Sequence, residues 1–199
     1  MRRVVANMRR DIEGGGGQFR FSSALTDGRV RDGKLTAIFV NGEEETCDEL
    51  VLAVGHSARD TFEMLLARGF VIEQKEFAVG VRIEHLQAMI GKSQYGSGYA
   101  ALPAADYKLV SHASERAVFT FCMCPGGVVV PAASEEGGVV TNGMSDYARA
   151  GENADSALLV QMRLSDFGSD DLLAGMEFQR RLERAAFAAA GGDSGAPAQ

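Results

Sequence analysis

The sequence predicts a mixed α/β chain built from two differently made parts. Three observations carry that reading. Residues 18–47 contain short strand-like stretches around Asn41-Gly42, a strong hairpin signal, and so read as a small β-meander. Leu50-Val51-Leu52-Ala53-Val54 is an unbroken apolar run, the pattern of a strand buried on both faces of a parallel sheet. From Phe77 onward, short alternating stretches are separated by glycine-rich turns, the pattern of an antiparallel β-rich domain.

Taken in order, residues 4–12 read as a helix with Val4, Val5, Met8 and Ile12 on one face, ended by Gly14 to Gly17. Gln18 to Leu25 is the first expected meander strand, with Phe19 and Phe21 on one side. Lys34 to Val40 is the second, and Glu43 to Cys47 returns from the turn. The run at Leu50–Val54 opens into Gly55-His56-Ser57 and then a helix. Asp60 is placed to cap that helix and Glu63 to complete the pair. Phe62, Leu65 and Leu66 form its apolar side, and Gly69 stops it. Composition changes near residues 73–76.

In the second part, Phe77, Val79, Val81 and Ile83 are the expected core face of a strand, alternating with Ala78, Gly80, Arg82 and Glu84. Gly91 to Asp106, rich in Gly, Ser, Ala and Tyr, reads as loop. Tyr107–His112, Ala117–Cys124, Val128–Val130, Val139–Thr141 and Ala157–Met162 read as strands. Pro125-Gly126-Gly127, Glu135–Gly138 and Asn142-Gly143 read as turns. Asp170 is expected to cap a helix running to about Ala190, with Leu172, Met176 and Leu182 inward and Glu177 paired to Arg181. Residues 191–199 read as a disordered tail.

Composition narrows the function. Twenty Lys and Arg against 27 Asp and Glu give a net charge of −7, the opposite of a nucleic-acid-binding footprint. No apolar run is long enough for a membrane-spanning helix, and charges at Arg9, Arg10 and Asp11 break up any signal-peptide core. Three cysteines without framework spacing read as reduced thiols in a cytoplasm. No Walker loop, HExxH helix or GxSxG elbow is present.

Three groups could carry chemistry. Gly55-His56-Ser57 sits between a strand and a helix, where a glycine lets backbone approach a ligand; an ordinary strand-to-helix loop, with His56 a polar bystander, is the plainer reading. Cys122 and Cys124 are placed on one face of a strand ending at Pro125. A disulfide between them would close a small, strained ring, no further ligands suggest a metal, and two buried small hydrophobes is the plainer reading. Arg82, Glu84, His85, His112 and Arg149 could hold an anion or move protons, or simply be satisfied surface residues.

Four motifs then occur in one order: Val54-Gly55-His56-Ser57-Ala58-Arg59-Asp60, Phe77 to His85, Phe121-Cys122-Met123-Cys124-Pro125-Gly126-Gly127, and Asn142-Gly143-Met144-Ser145. Together they resemble the uncharacterised bacterial FAD-dependent dehydrogenase family, within the two-dinucleotide-binding flavoproteins. The resemblance implies a partial Rossmann-like FAD-binding domain with its meander at 1–75, an inserted substrate-side β-rich domain at 76–165, and a helix and tail returning toward the FAD domain at 166–199. It implies FAD as cofactor in a full-length parent, with NAD(P) a further possibility, and cofactor contact at Ala53, Gly55, His56 and Ser57. Cys122, Cys124, Arg82 and His85 are the candidate catalytic residues, and the substrate is a small molecule it does not identify. The GxGxxG strand-turn-helix and the closing glycine-rich segment of such proteins have no counterpart here. The chain is therefore expected to be an interior fragment, inactive and weak in FAD binding alone, and inclined to self-associate. Asp155 stands where a second asparagine after Asn153 is expected. The alternatives are a non-enzymatic fragment with no ligand of its own and, more remotely, a cysteine-dependent hydrolase.

Overall fold

The computed structural model describes residues 2–113, 115–133 and 135–192. The rest of the tail expected at 191–199, from residue 193 on, lies outside them. The chain divides after Val71 into two compact units. Helices and antiparallel sheets are both present, so the mixed class predicted from the sequence is the class observed.

The first unit opens with α1 (Arg2–Gly14), whose stripe of Val4, Val5, Met8 and Ile12 is exposed. A three-stranded meander follows: β1 (Leu25–Arg31), β2 (Lys34–Val40) and β3 (Glu43–Glu45), in that order in the sheet. Two turns set its register. Asn41 and Gly42 have φ of 52° and 86°, and Asp32 and Gly33 have 51° and 73°, the paired positive values that a two-residue hairpin turn needs. The Asp32-Gly33 turn corrects the first predicted strand. It pairs Arg31 with Lys34 and so draws β1 down to Leu25–Arg31, leaving residues 18–24 outside the sheet. Phe19 and Phe21 instead stack on each other 6.5 Å apart, with the Arg9 guanidinium over both rings.

The expected buried strand at Leu50–Val54 is not formed. These residues pair with no strand, and Val51 is 88% exposed. A strand buried on both faces needs hydrogen-bonded neighbours and covering layers, and no parallel pair exists among the described residues. The helix beyond it, α2 (Arg59–Ala67), does form. Its N-cap is Ala58, with no side-chain cap bond; Asp60 lies inside the first turn, where its charge still suits the helix dipole. At its end Gly69, at φ 79°, donates to Leu66 while Phe70 donates to Leu65, a Schellman stop at the predicted glycine.

The second unit is organised by β9 (Asn153–Met162), the longest-range strand. It lies between β4 (Phe77–Leu86) and β6 (Val118–Cys124), with β5 (Val110–Ser111) beyond β6. The β4–β9 register runs unbroken from Phe77 opposite Met162 to Leu86 opposite Asn153. β7 (Gly127–Pro131) and β8 (Thr141–Ser145) form a separate antiparallel pair. Between β4 and β5, α3 (Gln87–Tyr95) and a 3-10 turn (Gly96–Ala101) replace most of the loop expected at Gly91–Asp106. Gly91 is buried there against the Tyr99 ring, so a residue that reads as flexible serves close packing. Asn142-Gly143 likewise lies inside β8 rather than in a turn, and the predicted strand Val139–Thr141 is shifted forward.

α4 (Ala174–Ala189) closes the unit. Asp170 does not cap it: Leu173 holds the N-cap position, and Asp171 accepts from the Leu173 N–H at 2.8 Å. Leu172 and Leu182 face outward, and Arg180, not Arg181, pairs with Glu177. Phe178 points inward and joins Phe77 and Phe167, whose rings stack 4.9 Å apart. Aromatic burial of this kind is worth several kilocalories per mole in total (about 1.5–3 per side chain). Arg116 and Asp166 brace the same end with a bidentate pair, and Asp166 also accepts from the Arg163 N–H.

Candidate functional site

The opposite end of the β4–β9–β6 sheet is polar. Asp155 follows from the register: it lies opposite Glu84 on β4 and opposite Cys124 on β6. Arg82, two residues along β4, places its guanidinium on Asp155, with side-chain exposures of 7% and 0%. The same guanidinium donates to the Asn142 side-chain oxygen at 3.3 Å and to the Cys122 carbonyl at 3.4 Å. Glu84 accepts from the Asn153 amide at 2.6 Å and from the Val129 N–H at 2.9 Å, fixing the β7–β8 pair to the sheet. Gly143 completes the fit, because a Cβ there would overlap Asp155 Oδ1 and Arg82. That close approach is what a glycine inside a strand marks.

Electrostatics in this centre are in tension. Burial pushes the Asp155 carboxyl up from its ordinary value, and the Arg82 bond and charge act against that rise. Asp155 Oδ2 is buried without a hydrogen-bond partner. Burial and the Asp155 charge also push the Cys124 thiol up, with Arg82 opposing. A thiol pushed up in this way is not the pre-ionised nucleophile that a cysteine hydrolase needs, which weighs against that reading.

His85 sits on the other side of β4 from Arg82 and Glu84. Its Nε2 shares a hydrogen bond of 2.8 Å with the Tyr107 hydroxyl, and its Nδ1 is buried without a partner. Burial pushes the Tyr107 phenol up, with a Ser156 hydrogen bond acting the other way, so the phenol keeps its proton. His85 and Tyr107 thus form a hydrogen-bonded pair, and the Ser156 hydroxyl nearby bonds to the Phe121 and Ala157 carbonyls.

The structure therefore gathers Arg82, Cys122 and Cys124 about Asp155 and sets the His85–Tyr107 pair beside it. It breaks the simple alternation assumed for the cysteines. A bulge between Phe121 and Cys124 puts Cys122 at φ 47°, so i,i+2 spacing no longer places both on one face. Both, and Cys47, are free thiols. His112 is exposed after β5, and Arg149, at φ 51°, contributes backbone that crosses Gly126. Asp155, Ser156 and Tyr107 were not read as site residues. The polar stretch Asn153–Ser156 masked the first part of β9, and only the length of the apolar partner strand β4 could have flagged it.

In the first unit, Ala53, Gly55, His56 and Ser57 lie on the segment leading to α2. Gly55 has φ 78° with open space where a Cβ would stand, and Ser57 Oγ lies 3.3 Å from His56 Nε2. No group of three His, Cys, Asp or Glu among the described residues is placed to hold a metal ion. No described helix is long and apolar enough to cross a membrane.

Fold and site define a mixed α/β protein whose β-rich part encloses an ionic centre. Residues 76–199 match the family described as FAD-dependent protein, C-terminal domain-like, and the chain belongs to that family. A protein of Clostridium beijerinckii, described only as an uncharacterized protein, is 51% identical over 200 residues. That alignment covers 98% of this chain and 38% of the relative, so the chain spans well under half the length of the relative it matches. Gly55 to Ser57 form an open glycine turn ahead of the α2 N-terminus. They do not fit the whole cofactor, because the Leu50–Val54 strand that would seat that turn is unpaired and the turn is exposed. No catalytic step through FAD follows from these residues.

Proposed function

We propose that this chain is part of an FAD-dependent oxidoreductase, with residues 76–165 on the substrate side and the flavin held mainly by residues of a longer parent. The family match over residues 76–199 carries the reading. When bound, FAD would supply the electron transfer, while the protein orients substrate and moves protons. Within this chain the Arg82–Asp155–Glu84 centre holds the sheet and the β7–β8 pair in one geometry, and the Tyr107–His85 pair offers a place to take up or release a proton. The family description names FAD and no nicotinamide cofactor. Reduced cysteines fit a cytoplasmic setting. The exposed apolar residues at 50–54 favour association in solution.

Two measurements test this. FAD titrated into the isolated chain should leave flavin fluorescence nearly unchanged, and a parent-length protein should purify yellow and bleach on reduction. A colourless parent would defeat the flavin reading. Stoichiometric micromolar binding by the isolated chain would defeat the assignment of the cofactor to the longer protein.

A further inference from the structure

We propose that Cys122 and Cys124 form a reversible dithiol–disulfide pair, with exposed Cys122 taking the first exchange with a low-molecular-mass disulfide and half-buried Cys124 resolving it. This stands apart from the flavin reading and concerns only the bulge at the end of β6.

Three features carry it. Cys122 is exposed, whereas Cys124 is partly covered, so a soluble disulfide reaches Cys122 first. Cys124 already faces its neighbour: its thiol donates to the Cys122 carbonyl at 3.4 Å, so the side chain is turned back along the chain. Cys122 holds a left-handed backbone at φ 47°, a conformation other than glycine rarely adopts and one that recurs at functional sites. The bulge takes the pair out of extended geometry, and a bridge between residues two apart closes a small ring. A bridge there is strained, and strained bridges are the readily reduced ones.

The chemistry balances in two exchanges. Cys122, having given its proton to solvent, attacks one sulfur of glutathione disulfide; a Cys122–glutathione bond forms and one glutathione leaves as thiolate, taking up a proton. Cys124, having given its proton to solvent, then attacks the Cys122 sulfur; the Cys122–Cys124 bond forms, and the second glutathione leaves as thiolate and takes up a proton. The protein loses two electrons and two protons, and one glutathione disulfide becomes two glutathiones.

The test is to equilibrate the whole chain in glutathione redox buffers, quench in acid, alkylate free thiols and map the peptides by mass. The expected result is that Cys122 and Cys124 escape alkylation together in a peptide lighter by two hydrogens, while Cys47 remains alkylated, and that excess glutathione reverses the change. C124S should stop at the mixed disulfide on Cys122. C122S should slow modification of Cys124 about tenfold, as expected for a covered thiol. The wild-type chain halting at the mixed disulfide, or Cys124 reacting first, would overturn the proposal. Because the first readout uses the unmutated protein, a variant that fails to fold leaves it decisive.

Discussion

The meander β1–β2–β3 and the four-stranded sheet built on β9 are held together by different means. In the meander β1–β2–β3, neighbours in sequence are neighbours in the sheet, and two tight turns set the register. Its ion pairs, Arg29 with Glu44 and Arg20 with Glu45, lie at the surface, and Ala37 is the only residue of the sheet that is fully buried. In the second sheet the central strand comes last. β9 pairs with β4, so Arg82 meets Asp155 across 73 residues of chain, and Ala154 to Ala157 are all buried. The first sheet rests on local conformational preference. The second rests on burial, and burial is what makes a polar group costly to disturb.

The comparison can be broken at several points, in decreasing order of effect. Asp155→Ala would leave the Arg82 charge buried and unpaired, and should cost about 3–5 kcal/mol in urea unfolding. The matching change at the surface, Asp27→Ala, which removes the pair with Arg68, should move the midpoint very little. If the two changes cost the same, burial is not what distinguishes the sheets. Next, Gly143→Ala should cost about 1–3 kcal/mol, because its Cβ must displace Asp155 or Arg82; a neutral result would show that the ionic centre yields. Gly33→Ala, which forces a side chain into φ 73°, should cost about 1 kcal/mol and loosen only the β1–β2 turn, as hydrogen exchange would show.

Two carboxylates in the second unit should respond to pH with opposite signs. Arg116 holds the Asp166 carboxyl down from 3.8 to about 2. Its stabilising contribution is therefore complete above 3.8 and lost as pH falls toward about 2. Asp155 is raised, so its contribution is complete below its unfolded value of 3.8 and falls away as pH rises through its folded value. Acid titration of Asp166→Asn should lose the first dependence and keep the second. The smallest effect belongs to Val51→Asp. At an exposed site it should fall within about 0.5 kcal/mol of the parent chain. A loss of several kilocalories per mole would restore the buried strand expected there.

Where local chemistry decides the structure, the sequence was readable. Asn41-Gly42, Gly69 and the strand Lys34–Val40 stand where turn, stop and alternation put them. Reading failed where one residue type serves two purposes. Asn142-Gly143 has the composition of a turn, and Gly91 that of a loop, yet both glycines are there to let other groups come close. The expected core face of β4 also met a different environment: Val81 is 64% exposed, while Arg82 beside it is buried. Alternation tells which residues share a face and not which face is covered.

By itself the sequence determined the mixed class, the meander, the helix after Gly55 and the set of polar and thiol residues worth watching, because periodicity and turn residues act over a few positions. Only the tertiary structure decided that Asp155 receives Arg82, that Tyr107 joins His85, and that Cys122 leaves the regular strand. The Asp155–Arg82 contact and the Cys122 bulge depend on which distant strands β9 lies beside, and Tyr107 returns to His85 over an irregular segment; neither kind of pairing leaves a local trace in the sequence.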